Sequence, residues 1–301
     1  MADVTFDGKV AVITGAGGGL GRSHALLLAE RGARVVVNDL GGTADGNGSS
    51  ATAAEQVVAE ITAAGGTAVA NHDSVSTPEG GAAIVQTALD AFGTVDVVVN
   101  NAGFLRDQSF AKMETANIDA IIDVHLKGAI YVSQPAFKVM KEHGYGRFVH
   151  TTSGAGLFGN FGQANYAGAK MGLVGLSSVI AIEGAKANIR SNVIAPLAKT
   201  RLTEELMGPM ADLVRPEQVS GLVAYLSSET CELTHEIFSV GGGRVARVFV
   251  GECQGWIAGK GVAPTPEEVA ANLDAIRDTE GYFIPGAATE EMQAMAPIFQ
   301  A

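Results

Sequence analysis

Residues 9–14, KVAVIT, are a short apolar run rich in β-branched side chains, and they lead into Thr14-Gly15-Ala16-Gly17-Gly18-Gly19-Leu20-Gly21. Such a run reads as a buried parallel strand. Glycine permits a tight turn and close backbone approach, and the amphipathic stretch 20–31 that follows is expected to be a helix whose first N–H groups face whatever fills the turn. A diphosphate suits that place. The pattern then repeats, with strand-like runs at 34–38, 67–71, 95–99, 146–152, 189–194 and 237–240 and helical stretches at 51–64, 78–92, 116–142, 163–184 and 216–227. Regular alternation of this kind belongs to an α/β domain. It stops at Arg244, so the expected organisation is one domain over 1–243 and an extension over 244–301 that packs on it or on a partner subunit. Within the longest helical stretch, Pro135 predicts a kink.

Charge and cysteine usage narrow the partners. A net charge of −12 over 301 residues disfavours sequence-independent nucleic-acid binding and anionic membrane surfaces. A small molecule is the expected ligand. Cys231 and Cys253 show no CxxC and no metal-ligand spacing, so they read as free thiols in a reducing compartment and no metal site is expected. The start, MADVTFDGKV, has no basic segment before an apolar run, and no stretch approaches the roughly 18 apolar residues of a membrane span. The cytoplasm is the expected location.

Three side chains stand where they can share one task. Tyr166 and Lys170 are four residues apart, on one face of the expected helix 163–184. An ammonium near a phenol favours the phenolate, which makes Tyr166 a candidate general acid/base. Ser153 follows the strand 146–152 at the sheet edge where ligands of open α/β sheets bind, and there it can hold a substrate oxygen. Asp39 lies about 20 positions beyond the glycine turn, where a carboxylate accepts hydrogen bonds from a free ribose 2′-OH and repels a 2′-phosphate. That favours NAD over NADP, although Asp39 also suits a turn before Gly41-Gly42. Asp73 reads either as a partner of the adenine amino group or as a turn aspartate. Asn100 and Asn101 end the strand 95–99, and His125 sits on the apolar face of 116–142, either packed there or taking part in catalysis. The segment LAKTRLTEEL after Pro196 is a candidate lid, and Lys199, Arg201, Arg244, Arg247, Lys260 and Arg277 are candidate contacts for phosphate groups.

Taken together, TGAGGGLG, Asp39, Asp73, NNAG, Ser153, Tyr166 and Lys170 resemble the short-chain dehydrogenase/reductase superfamily over residues 5–243. The strings VVVNDLGG, DSV, VDVVVNNAG, VHLKG and GNFGQANY are more closely similar to the (R)-3-hydroxyacyl-CoA dehydrogenase domain of peroxisomal multifunctional enzymes, also called 17β-hydroxysteroid dehydrogenase type 4, in a stand-alone bacterial form without the hydratase and sterol-carrier domains. The resemblance implies a doubly wound parallel sheet of about seven strands. It also implies a homodimer or homotetramer through helices 116–142 and 163–184. It implies catalysis by Ser153, Tyr166 and Lys170, with His125 where most of the superfamily has Asn. It further implies NAD contacts from Gly15, Gly19, Leu20, Gly21, Asp39, Leu40, Asp73, Ser74, Asn100, Tyr166, Lys170 and Pro196. The implied reaction interconverts 3-hydroxyacyl-CoA and 3-oxoacyl-CoA thioesters of fatty or steroid origin. The alternatives are a 3-oxoacyl-acyl-carrier-protein reductase, a hydroxysteroid dehydrogenase, and an NAD-binding subunit without chemistry of its own.

Overall fold

The computed structural model describes residues 3–42, 46, 48, 52–199 and 213–296. Eight strands among them form one sheet: β1 (Val10–Thr14), β2 (Arg34–Asn38), β3 (Thr67–Asn71), β4 (Val97–Asn100), β5 (Gly146–Thr151), β6 (Ile189–Pro196), β7 (Ile237–Gly241) and β8 (Arg244–Val248). Their order is β3-β2-β1-β4-β5-β6-β7-β8, and the pairings from β3 through to β7 are parallel. The winding reverses between β1 and β4, which opens a crevice at the carboxyl ends of the strands.

Both faces of the sheet are covered, and the apolar runs are the cause. Ala11 and Ile13 of β1 join one buried cluster, and Val10 and Val12 of the same strand join the other. Successive side chains of a strand point to opposite faces, so a strand with helices on both sides, such as β1, is apolar along most of its length. The helices are α1 (Gly19–Glu30), α2 (Thr52–Ala63), α3 (Pro78–Phe92), α4 (Thr115–Ile122), α5 (Gly128–His143), α6 (Gly154–Phe158) and α7 (Ala164–Gly184), with a later one at Glu217–Ser227. The α/β doubly wound architecture expected from the sequence is the one observed.

Three expectations are corrected. The sheet has an eighth strand: β8 follows β7 after the two glycines Gly242 and Gly243, and a link that short joins antiparallel neighbours only. Its residues are half-exposed or exposed, so it lacks the apolar run that marks the other strands. The stretch 116–142 is not one helix, because a π-helical turn, Asp123–Lys127, separates α4 from α5. Pro135 lies inside α5 without ending it. The bond that its missing N–H gives up is the one to the Tyr131 carbonyl, and Gly81 of α3 packs so close there that a Cβ on it would lie 2.5 Å from that oxygen. Finally, one helical stretch, Ala164–Ala187, is long and apolar enough by length and composition to cross a membrane, with a mean hydropathy of 1.2. It carries Asn165, Lys170 and Ser177 as buried polar groups.

The chain divides into compact units at Arg247 and Val248 rather than at Gly243 and Arg244, because β8 belongs to the sheet. In the second unit, Thr265 closes a capping box with Glu268 at the start of Pro266–Ala271, and Asn272 separates that helix from Leu273–Arg277. Phe249 stacks on Tyr282 at 5.3 Å, and Glu252 pairs with Phe283.

Candidate active site

A cleft of about 450 Å³ runs along the carboxyl ends of β1, β2, β4, β5 and β6. Its first wall is the glycine turn. Gly15 and Gly19 have φ of +64° and +51°, a region L side chains rarely adopt. A Cβ on Gly17 would lie 2.8 Å from the Asp39 carboxylate, so the turn is packed closely from behind. Gly18 caps α1 without a side-chain bond, and no acidic residue occupies the first turn. The first N–H groups of α1 are therefore available to an anion.

Asp39 lines this end of the cleft and holds it in shape. Its Oδ2 accepts from Gly17 N at 2.8 Å and its Oδ1 from Gly41 N at 2.7 Å. Asp39 is thus a turn residue that also lines the cleft, and each carboxylate oxygen keeps a second lone pair. Asp73 and Ser74 also line the cleft, as do Leu40, Leu20 and Pro196. The Asp73 carboxylate accepts from Asn71 Nδ2 at 2.7 Å, and its carbonyl accepts from Asn38 at 2.9 Å. These donors, carboxylates and glycines fit a dinucleotide.

Two of the expected contact residues lie behind the wall instead. Gly21 faces the turn from inside α1, where a Cβ would come within 2.2 Å of Gly15 O, so its role is close helix–strand packing. Asn100 is buried, donating to Ser133 Oγ at 2.9 Å and lying 3.2 Å from His150 Nδ1. The residue that reaches the cleft is its neighbour Asn101, whose Nδ2 donates to the carbonyls of Thr14 and Gly15 at 3.0 and 3.1 Å. Strand alternation explains the exchange, because adjacent residues point to opposite sides.

Ser153, Tyr166 and Lys170 meet on the opposite wall. Ser153 is the N-cap of α6, its Oγ accepting from Ala155 N at 3.2 Å, and its side chain also hydrogen-bonds the Tyr166 phenol. Lys170 is buried, donates from Nζ to Thr151 O at 2.6 Å, and lies 5.6 Å from the Tyr166 ring centroid. Desolvation lowers its pKa from 10.5 to about 7. The Tyr166 phenol is pushed up, first by burial, with the hydrogen bond from Ser153 opposing and the Asp107 charge adding. This reverses the expected direction for Tyr166. Spacing along α7 brings the ammonium to the ring, but burial disfavours both charged forms, an effect set by the fold rather than by the spacing.

His125 lies in the π-helical turn and is 3% exposed, yet its ring borders the cleft. Its Nε2 is 2.8 Å from Phe104 O and 3.1 Å from Phe104 N, and its ring meets Tyr166 edge-on at 5.2 Å. Gly103 makes room for it, since a Cβ there would fall 2.2 Å from His125 Cε1. Burial and the nearby Lys170 charge hold the imidazole well below its usual pKa, hence neutral. Packing and cleft-lining are both true of this residue.

The sequence reading missed Arg106, which lines the cleft and sits over the Phe104 ring at 5.2 Å. An arginine in a loop has no spacing signature. Of the cations it did single out, Arg247 pairs with Glu236 at 3.6 Å, and Lys260 and Arg277 lie in the second unit. Arg201 and most of the lid segment lie outside the described residues.

Fold and cleft together define a doubly wound α/β enzyme with a Ser–Tyr–Lys constellation at the carboxyl edge of its sheet. The chain belongs to the short chain dehydrogenase family, whose model matches residues 9–208, and it is an oxidoreductase. It is 50% identical over 279 residues to a short-chain type dehydrogenase/reductase of Mycobacterium tuberculosis, covering 92% of this chain and 97% of that one. It is 49% identical over 275 residues to the peroxisomal multifunctional enzyme type 2 of Mus musculus, covering 91% of this chain but 37% of the mouse protein. The solved structure of the full-length peroxisomal multifunctional enzyme type 2 from Drosophila melanogaster superposes with a TM-score of 0.82 at 37% identity, covering 98% of this chain and 50% of that one.

Proposed function

We propose that this oxidoreductase uses NAD to interconvert (R)-3-hydroxyacyl-CoA and 3-oxoacyl-CoA thioesters. The observation that carries the reading is the Ser153–Tyr166–Lys170 convergence in a chain about half identical to the dehydrogenase part of multifunctional enzymes. When bound, the nicotinamide supplies a hydride acceptor that is cationic in its oxidised form. Ser153 orients the substrate oxygen by hydrogen bonding, and Tyr166 takes or returns the proton on that oxygen. Lys170, with a pKa of about 7, holds or releases a proton near neutral pH beside the phenol. The raised phenol of the free protein therefore works best where positive charge gathers around it. Asp39, at the adenosine end, favours a ribose with a free 2′-OH and disfavours a 2′-phosphate. Arg106, a described cation that lines the cleft, is a candidate to meet an anionic handle on the substrate.

Self-association is part of the same reading. Ile118 of α4, Ile130 of α5, and Met171, Val179 and Ile182 of α7 are apolar side chains between 36% and 52% exposed. A second copy of the chain would cover them, giving a homodimer or homotetramer, which light scattering on the purified protein measures. The reading places the protein in the cytoplasm, acting on soluble thioesters.

The deciding experiment follows NADH formation with a panel of 3-hydroxyacyl-CoA thioesters and their pantetheine-truncated analogues, with NAD and with NADP. Turnover with NAD, and a higher kcat/KM for the full CoA esters, is the expected result. Absence of turnover with any thioester, or equal use of both cofactors, would overturn the substrate or the cofactor assignment respectively.

A further inference from the structure

The loop after β4 forms the cleft wall at 103–106 and is tied to the start of α7 by a series of contacts. Asn165 Nδ2 donates to the carbonyls of Arg106 and Asn117 at 3.1 and 3.2 Å, while its Oδ1 accepts from Tyr166 N at 2.8 Å. Gln108 N donates to Gly162 O at 2.8 Å. Between these lies a bond of a different kind, from Gln163 Nε2 to Asp107 Oδ2 at 2.7 Å. Gln163 is the N-cap residue of α7, only 5% exposed, and its Oε1 accepts from Asn160 Nδ2 at 2.9 Å. Its carboxamide is thus engaged at both ends, three residues before Tyr166.

We propose that Asp107 and Gln163 are positioning residues for Tyr166, their hydrogen bond locking the cleft wall 103–106 to the first turn of α7 and so setting the gap in which a substrate oxygen meets the phenol. The inference rests on the reading of Tyr166 as the proton-transfer group. Its physical basis is that the bond is charge-assisted, hence stronger than the neutral ties beside it. A hydrogen bond of this kind also tolerates little change in length, and misplacement of reacting groups by about 1 Å costs on the order of a hundredfold in rate. The carboxylate has a second effect. Among the described residues, the groups facing the phenol are Ser153 from the end of β5, Lys170 from α7, His125 from the π-helical turn and Asp107 from the wall, and Asp107 is the one anion of that set.

The test is a swap. Gln163→Glu sets a carboxylate against Asp107 and breaks the bond by repulsion, whereas Asp107→Asn with Gln163→Glu restores it with the donor and acceptor exchanged. Gln163→Glu is expected to lower kcat/KM by about 10–100-fold near neutral pH, with NAD affinity unchanged. The double variant is expected to return to within about threefold of the parent. Asp107→Asn alone keeps a neutral bond but removes the anion facing the phenol, so the rising limb of its pH–rate profile moves to lower pH. Hydrogen exchange of the 104–108 peptide in the cofactor-free protein gives a readout independent of turnover, faster in Gln163→Glu and restored in the double variant. A double variant no better than Gln163→Glu in both readouts, or parent-like rate and exchange in Gln163→Glu, would overturn the latch. Parent-like activity in Tyr166→Phe would instead overturn the role of Tyr166, leaving the exchange result to judge the latch alone.

Discussion

Replacing Asp39 by Ala removes two hydrogen bonds at once, those from Gly17 N at 2.8 Å and Gly41 N at 2.7 Å. A hydrogen bond to a charged group contributes about 1.5–3 kcal/mol, and a half-buried side chain such as this one belongs at the low end because water replaces part of what is lost. The sum is a destabilisation of about 2–3 kcal/mol, or roughly 4–6 °C in melting temperature for a domain of this size. The same substitution removes the negative charge that opposes a 2′-phosphate, so the NAD-to-NADP preference should fall by about 10–100-fold. Asp39→Asn changes the two effects in another proportion: it removes the charge as fully as Ala does, but keeps the shape and one acceptor while setting an amide donor against the other backbone N–H group. Thermal melting of the free protein reports the turn, and calorimetric titration with each cofactor reports the charge. An unchanged melting temperature in Asp39→Ala would refute the structural role, and a parent that binds NADP as tightly as NAD would refute the charge argument.

Tyr166→Phe keeps the ring and loses only the hydroxyl, so steady-state kinetics should show kcat/KM falling at least about a thousandfold while NAD affinity by titration stays within about threefold. His125→Asn should stay within about tenfold of parent activity, since a carboxamide offers both a donor and an acceptor to Phe104; a loss beyond about a hundredfold, roughly 2.7 kcal/mol, with folding intact would show that the imidazole takes part in the chemistry. Gly21→Ala sets a methyl group 2.2 Å from Gly15 O, a backbone atom that cannot swing away, and chemical denaturation should register a loss of about 1–3 kcal/mol. His24 and His150 are buried and lowered from 6.5 to about 3 by desolvation. The unfolded chain therefore binds more protons than the folded one between those values, and stability should decline as pH falls below about 6.5 and level off near 3. A melting temperature that holds constant from pH 7.5 to about pH 4 would contradict this.

The parallel strands β1 and β4 were legible because a strand covered on both faces is mostly apolar: VAVIT of β1 and VVVN of β4 carry their burial in their composition. The same logic fails for β8, an edge strand of half-exposed residues that reads as tail until it is seen beside β7. The glycine turn, Asp39 and the Tyr166–Lys170 spacing were legible because each is local, needing only the geometry of one turn or one helix. What tertiary structure decided was every quantity that depends on neighbours distant in the chain. Whether Asn100 or Asn101 faces the cleft depends on strand register, and the π-helical turn at Asp123–Lys127 that carries His125 has no periodic signature to betray it. Gln163 meets Asp107 across 56 positions of sequence. The direction of the Tyr166 shift was likewise a tertiary outcome. Residues along one helix determine which charges stand near the phenol, but only packing determines how much water is taken from it, and at this site desolvation is the larger effect.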